Sequence, residues 1–424
     1  MRYRFYNARL LTMECGCSVT EGELWTEGPV ITYAGPGKEN DIAWDREIDV
    51  MGNLLMPGFK DAHTHSGMTF LRSRADDMPL QEWLQNQVFP LEAKLTPDHI
   101  YHLSKLAILE YLSSGITSNF DMYFYPEAIA KASVDCGFRT VMVSPITSFS
   151  GSTVGEMEED YHRFNQYHEL IRYHLGFHAE YTCETPLLEE IARLSQKLEA
   201  PVYDHNSETR ESVEQCIQRT GMTPTVFLNS LGMYEHGGGG YHCVHMTEED
   251  LQIFKEKKLT AVTNPGSNTK LASGIAPVRK MMEMGIPVAI GTDGPASNNC
   301  LDMFREMFLV TGLAKLLDED AAAVDADDVL AMAVTVGAKA MGLTECDMLK
   351  AGKFADIIMI DLNQPNMQPI HNISKNIVYS GSKANIKMTM VNGRILYENG
   401  IYHVGSDPAE IYQNANRIVE ELVN

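Results

Sequence analysis

The chain has 424 residues, with 34 Lys and Arg against 57 Asp and Glu, for a formal net charge of −23. That balance excludes a basic footprint for duplex DNA or an anionic membrane. The length excludes a small stapled module, and 44% hydrophobic content with 21% charge excludes disorder. The opening MRYRFYNARL carries charges where a secretory segment needs an apolar run. No stretch approaches the roughly 20 uninterrupted apolar residues of a membrane span, so the expectation is a cytoplasmic protein. The eight cysteines are scattered and read as small buried hydrophobes of a reducing compartment, with Cys15-Gly16-Cys17 incidental.

In chain order, residues 1–55 are rich in glycine and β-formers (Ile31-Thr32-Tyr33-Ala34-Gly35) and predict short strands with turns. Residues 56–344 alternate apolar runs with amphipathic stretches. The runs fall at Leu54–Met56 leading into Gly58-Phe59, Thr117–Phe120, Thr140–Val143, Leu175–Phe177, Pro201–Tyr203, Tyr241–Val244, Leu259–Val262 and Pro287–Ile290. Helices are expected over Pro97–Ser113, Pro126–Cys136, Pro186–Leu198, Met246–Lys257 and Ala276–Met284. Eight strand–helix units predict an α/β fold, a (β/α)8 barrel of the triosephosphate-isomerase type. Residues 345–405 return to strands and turns, with Asn392-Gly393 as a hairpin signal, so both chain termini are expected to build one small β-sandwich domain. Residues 406–424 read as a surface helix over Pro408–Val423. Gly237–Gly240 reads as a flexible loop before the sixth strand, Met281-Met282-Glu283-Met284 as helix packing, and Asp318-Glu319-Asp320 as a solvated face.

In such barrels chemistry sits at the C-terminal ends of the strands. Here the runs end at His63 and His65, Asp121, Ser144, His178, His205, His242, Asn264 and Asp293. Of 14 histidines, five (63, 65, 178, 205 and 242) fall at these ends, a concentration that packing alone does not explain. His63-Thr64-His65 points two imidazoles to one side of an extended segment, half of a metal site. His205 offers a third nitrogen. Glu208, three residues on, can reach the same cavity as a candidate general acid/base, and taken alone it reads as an exposed loop residue. Period two turns His242 into the cavity and leaves His245 structural. Asp293 can bind metal and accept a proton, and taken alone its Asp-Gly reads as a turn.

These stretches resemble the amidohydrolase superfamily, and within it the methylthioadenosine/S-adenosylhomocysteine deaminase and chlorohydrolase-like group. The resemblance rests on Met56-Pro57-Gly58-Phe59 through Ala62-His63-Thr64-His65, Trp83 with Pro90-Leu91-Glu92, and Asp121-Met122-Tyr123. It continues in His178 with Tyr181, His205 with Glu208, His242-Cys243-Val244-His245, Asn264-Pro265-Gly266-Ser267-Asn268 and Gly291-Thr292-Asp293-Gly294-Pro295-Ala296-Ser297-Asn298-Asn299. The C-terminal Ala351-Gly352-Lys353-Phe354-Ala355-Asp356 resembles the family's return to its small β domain. It implies one divalent metal on His63, His65, His205 and Asp293, zinc by default for three nitrogens and a carboxylate, with iron the alternative. The fourth run ends in Gly176-Phe177-His178 without a lysine to bridge two metals.

The resemblance further implies hydrolytic deamination of an aromatic amine, with a water made nucleophilic near neutral pH attacking the ring carbon. Asp293 takes the water proton, protonated Glu208 supplies the ring nitrogen, and His242 hydrogen-bonds the attacking oxygen. Trp83, Glu92, His178 and Ser297 stand at substrate positions, with Glu92 on ribose hydroxyls. Family members that take S-adenosylhomocysteine present arginine to its carboxylate. Here Val143-Ser144-Pro145-Ile146-Thr147 and Ser148–Thr153 have none, leaving Arg72 and Arg74 as the nearest substitutes. The expected substrates are therefore adenosine, 5′-deoxyadenosine or 5′-methylthioadenosine, with S-adenosylhomocysteine disfavoured. The alternatives are a sister enzyme acting on guanine, oxoguanine, pterin or a chlorotriazine, and, behind it, a non-catalytic barrel scaffold. The expected partner is a small nucleoside or heteroaromatic amine, with no nucleic acid and no membrane. A homo-oligomer is compatible with the sequence, which fixes no symmetry.

Overall fold

The computed structural model describes residues 1–74 and 76–423. Eight strands follow one another around a parallel barrel: β1 (Phe59–Thr64), β2 (Ile116–Met122), β3 (Arg139–Val143), β4 (Ile171–Ala179), β5 (Val202–Asn206), β6 (Gly238–His242), β7 (Thr260–Thr263) and β8 (Val288–Ile290). Each pairs in parallel with the next. Helices cover the outer face of such strands and packed side chains, among them Phe120, Val141, Tyr203 and Val262, fill the barrel interior, which is why they read as near-continuous apolar runs.

Among the described residues β8 and β1 share no ladder, so the order runs β8 to β1 as an eight-stranded sheet. The seam is closed by other means. Thr292 donates its N–H and hydroxyl to the two Asp61 carboxylate oxygens at 2.8 and 2.6 Å, and the Asp293 N–H donates to the His63 carbonyl at 2.9 Å. Gly291 makes this approach possible, because a Cβ there would lie 2.7 Å from the His63 carbonyl oxygen.

Returning helices span Pro97–Ser113, Pro126–Cys136, Val154–Phe164, Thr185–Leu198, Glu248–Glu256 and Val278–Glu283. Five of these lie where the sequence predicts them. Arg210–Thr220, Pro224–Ser230 and Met303–Leu317 are additional, and so is Val154–Phe164. Its apolar face is thin, burying Met157 and Phe164, and its sequence signal is the capping box in which Thr153 and Glu156 satisfy each other's backbone N–H. A further helical insert, Leu80–Trp83 running on through residues 84–92, covers the barrel mouth; Leu80, Trp83, Leu84 and Val88 point inward at helical spacing.

Two sequence expectations need correction. The run Leu54–Met56 does not belong to the barrel. Leu54–Pro57 pairs antiparallel with Ile357–Ile360 in the terminal sheet, and the barrel begins at Phe59. Both halves of the run are buried, so hydrophobicity alone does not mark the change of sheet. Gly238–Gly240 is strand rather than flexible loop. A Cβ at Gly239 would lie 2.3 Å from the Thr260 carbonyl and one at Gly238 1.9 Å from the Val202 carbonyl, so the glycines let β6 seat between its neighbours.

The termini together form a nine-stranded sheet. Arg2–Met13, Gly16–Glu27 and Val30–Gly35 lie on one side of Leu54–Pro57. Ile357–Ile360, Ile386–Val391, Arg394–Glu398 and Ile401–Tyr402 lie on the other, and Arg46–Asp49 pairs with the first strand. Phe5, Leu10, Leu24, Ile31, Leu55, Ile357 and Met390 are among the residues of its core. Asn392 (φ 51°) and Gly393 (φ 73°) turn the Ile386–Val391/Arg394–Glu398 hairpin with the left-handed conformations that this turn demands. A buried ion pair fastens sheet to barrel: Arg139 of β3 donates Nε–H to Asp356 Oδ2 at 2.7 Å. The Pro408–Val423 helix lays Ile411, Ala415, Ile418 and Leu422 inward, against Pro97–Ser113. No helix among the described residues is long and apolar enough to cross a membrane.

Candidate active site

The C-terminal strand ends converge on one pocket. His63 lies within β1 and His65 directly after it; His205 lies near the end of β5, His242 ends β6, and Asp293 follows β8. Ser207, His242, Cys243 and Asp293 all adopt positive φ (50°, 70°, 48° and 58°). Each such non-glycine residue costs on the order of 1–3 kcal/mol and is held only by its surroundings. These turns carry the chain abruptly off the strands and aim the side chains around Glu208, His242 and Asp293 inward.

One ligand atom each from His63, His65, His205 and Asp293 lies within 4.8 Å of the others. Asp293 Oδ1 is 3.4 Å from His63 Nε2 and 3.1 Å from His65 Nε2. Backbone carbonyls set the tautomers. A carbonyl oxygen only accepts, so His65 Nδ1–H donates to Met122 at 2.6 Å and His205 Nδ1–H donates to His178 at 2.5 Å. In the neutral rings both Nε2 atoms then carry lone pairs, and they face each other at 3.4 Å. Both His63 ring nitrogens are buried without a hydrogen-bond partner, beneath Tyr241, whose ring stacks on His63 at 3.7 Å. Inward-facing acceptors of this kind, oriented by carbonyls behind them, suit a divalent cation. Burial pushes His63 down to about 3 and His205 well below the ordinary imidazole value, which keeps them neutral donors. Burial opposes charge on Asp293, yet the His63 and His65 rings beside it hold it well below the usual carboxylate range. Ser297 donates its hydroxyl to Asp293 Oδ2 at 2.7 Å.

Around this cluster the pocket is lined by Trp83, Glu92, His178, Glu208, His242 and Ser297, the remaining residues singled out from sequence. Glu208 is buried, and burial raises its carboxyl above the ordinary glutamate value. The Ser273 hydroxyl donates to its Oε1 at 3.2 Å. His242 Nε2 stands 3.9 Å from Glu208 Oε2 and 4.0 Å from Asp293 Oδ2, while its Nδ1 meets Asn268 Oδ1 at 2.8 Å. Glu92 accepts the Tyr123 hydroxyl at 2.6 Å. His178 Nδ1 meets the Thr182 hydroxyl at 3.1 Å, and burial lowers the ring's pKa to about 3. His245 is turned away, onto the Ser273 carbonyl at 2.7 Å.

Arg72 is paired with Glu110 and Arg74 is exposed. Neither lines the pocket among the described residues. The sequence reading missed the apolar wall contributed by the insert (Leu80, Leu84, Val88, Phe89), which its helical spacing could have revealed, and the supports Asn268, Ser273 and Tyr123, which carry no signal without coordinates.

The amidohydrolase family model matches residues 54–396. The chain is 40% identical over 400 residues, 92% of each chain, to a 5-methylthioadenosine/S-adenosylhomocysteine deaminase of Caldanaerobacter subterraneus. It is 38% identical over 401 residues, 93% of each chain, to the protein of that name in Thermoanaerobacter pseudethanolicus. Among solved structures, an adenosine deaminase from Xanthomonas campestris with bound zinc superposes with a TM-score of 0.94 at 29% identity, covering 99% of this chain and 98% of that one. The matched span, the barrel and the imidazole–carboxylate cluster agree, and the chain belongs to the amidohydrolase family, hydrolases of carbon–nitrogen bonds.

Proposed function

We propose that this protein is a metal-dependent deaminase of adenine nucleosides, exchanging the ring amine for a carbonyl oxygen and releasing ammonia. The observation that carries the reading is the set of three imidazole nitrogens and one carboxylate within 4.8 Å at the base of a pocket that also holds Glu208, His242 and Glu92. The names of the relatives support the choice of ring. His63, His65, His205 and Asp293 would hold the cation; three nitrogens and one carboxylate suit zinc, and the similar adenosine deaminase was solved with zinc. When bound, the cation supplies a water that is nucleophilic near neutral pH.

The protein's own groups divide the proton work. Asp293, held ionised, accepts the proton lost by the attacking water. Glu208 lies in a dry setting that favours its acid form, and it gives a proton to the ring nitrogen beside the reacting carbon, so that carbon accepts the oxygen without a full negative charge building on the ring. His242, between the two carboxylates, hydrogen-bonds the attacking oxygen. The tetrahedral carbon then loses its amine as ammonia, with the proton that the amine needs returning through the carboxylates. Glu92, already holding the Tyr123 hydroxyl, has acceptor capacity left for ribose hydroxyls. Trp83 and His178 bracket the ring. Thr147 and Phe149 line the way out, and no arginine or lysine lines it among the described residues, which disfavours S-adenosylhomocysteine.

The test is ammonia release by metal-replete protein over adenosine, 5′-deoxyadenosine, 5′-methylthioadenosine, S-adenosylhomocysteine, guanine, a pterin and a chlorotriazine. Turnover concentrated in the adenine nucleosides is expected. Turnover confined to guanine, the pterin or the triazine would overturn the reading.

A further inference from the structure

Beyond the narrow inner pocket, of about 90 Å³, a second chamber of about 710 Å³ opens. The two share Phe89, Glu92, Tyr123, Phe124, Thr147 and Phe149 among their walls. If Glu92 receives the ribose hydroxyls, the sugar sits in this shared neck with its ring amine toward the imidazole cluster. The 5′ carbon then has one way to run, outward.

The outer wall is preformed. The Ser148 N–H donates to the Thr182 carbonyl at 3.0 Å, Ser148 Oγ accepts the Glu184 N–H at 2.7 Å, and the His178 N–H donates to the Ile146 carbonyl at 3.0 Å. These bonds tie the stretch after β3 to the end of β4 and the stretch that follows it. The chamber's charge is one-sided. Glu92, Glu156, Glu159 and Asp160 line it, and no lysine, arginine or histidine does among the described residues. Arg163 reaches Asp160 at 3.5 Å from outside and is shared with Glu127. Glu159 has no ion pair among the described residues. Partial burial, helped by Glu156, Glu159 and Glu127 and opposed by Arg163, lifts the Asp160 carboxyl above its ordinary value, as expected where acids crowd with too few cations.

We propose that this chamber is a charge-selective subsite for the 5′ substituent of an adenosine: it accepts neutral and cationic chains longer than methyl and repels carboxylates. The inference rests on the nucleoside reading above and adds to it a substrate class, 5′-thioadenosines with an uncharged or amine-bearing tail. A carboxylate entering the chamber meets four acids without a guanidinium to pair it. An ammonium of the same length is attracted by every one of them.

A matched pair of substrates tests this with the full-length, metal-replete enzyme: 5′-(3-aminopropylthio)- and 5′-(2-carboxyethylthio)-5′-deoxyadenosine, with 5′-methylthioadenosine as reference. The amine-tailed compound should exceed the carboxylate in kcat/KM by at least about tenfold, expressed mainly in KM, and added salt should shrink the ratio. Glu159→Gln with Asp160→Asn should bring the ratio to within about threefold, and Glu159→Lys, at an exposed position, should lower it further. Equal turnover of both tails, or a ratio indifferent to salt and to these substitutions, overturns the subsite while leaving the nucleoside reading intact. Failure to deaminate any of the three adenosines overturns both.

Discussion

Replacing Glu92 by alanine separates a nucleoside site from a free-base site. Glu92 Oε1 is occupied by the Tyr123 hydroxyl at 2.6 Å, so Oε2 and the second lone pair of Oε1 remain for the 2′- and 3′-hydroxyls. Hydrogen bonds to a charged acceptor contribute about 1.5–3 kcal/mol each. One strong and one weaker bond therefore predict a loss of roughly 10²–10³ in kcat/KM for adenosine in Glu92→Ala. Burial raises the Glu92 carboxyl, disfavouring its charged form, which argues for the lower half of that interval. The decisive comparison is a cycle with 2′,3′-dideoxyadenosine. If Glu92 binds the hydroxyls, native enzyme loses on the dideoxy substrate about what the variant loses on adenosine, and the variant loses almost nothing further. Losing Tyr123's partner should also lower stability by about 1–3 kcal/mol, seen as a modest fall in Tm without loss of folding. Equal losses by the variant on adenosine and on the dideoxy analogue would refute the assignment, because the carboxylate would then serve something other than the sugar.

Four further outcomes follow from the same geometry. Glu208→Gln should lower kcat by about 10²–10⁴ with Tm nearly unchanged. In native enzyme the raised carboxyl extends the active acid form to higher pH than an ordinary glutamate would, so the alkaline limb of kcat/KM that it causes should vanish in the variant. His205→Ala removes one of the four converging donors: native protein should carry about one tightly held divalent ion per chain by elemental analysis, and the variant far less than one. Arg139→Met, which leaves the Asp356 carboxylate buried and unpaired, should cost about 3–5 kcal/mol by denaturant unfolding. Although burial opposes its ionisation, Arg139 and Lys60 hold Asp356 below the ordinary value. Its contribution to stability is therefore complete above the unfolded carboxyl pKa of about 3.9 and is lost as pH falls through the folded one; Asp356→Asn should flatten that acid decline.

The barrel was legible because its strands are buried on both faces, so that runs such as Thr140–Val143 and Leu259–Val262 stand out against amphipathic helices, and because proline or an N-cap opens helices such as Pro97–Ser113 and Pro126–Cys136. The ligand cluster was legible because polar residues at the ends of apolar runs are costly unless they have partners. Two features escaped for physical reasons. Gly238–Gly240 looks like a loop by composition, and only the nearness of the Val202 and Thr260 carbonyls shows why a strand there excludes side chains. The change of sheet at Pro57 lies inside one uninterrupted buried run, where period and hydropathy are silent. The supports of the site, Asn268 behind His242 and Ser273 behind Glu208, lie 26 and 65 residues from their partners and belong to no local pattern.

These features place the costs of the fold at one end of the barrel. Ser207, His242, Cys243 and Asp293 hold left-handed backbone, two imidazole Nε2 atoms face each other at 3.4 Å, and Glu208 is buried close to Asp293 and His242. A sequence selected for stability alone would have no use for any of them. They are tolerated because the opposite end and the seam are over-determined: Asp61 grips Thr292 twice, Arg139 locks Asp356, and the glycines of β6 let the strands close without side chains between them. Asp293 joins the two halves. Its backbone N–H closes the seam on His63, while its carboxylate faces His63 and His65 in the cluster. The bond that completes the barrel therefore also fixes the acid among the imidazoles, and a barrel that failed to close at this seam would also lose its metal-binding geometry.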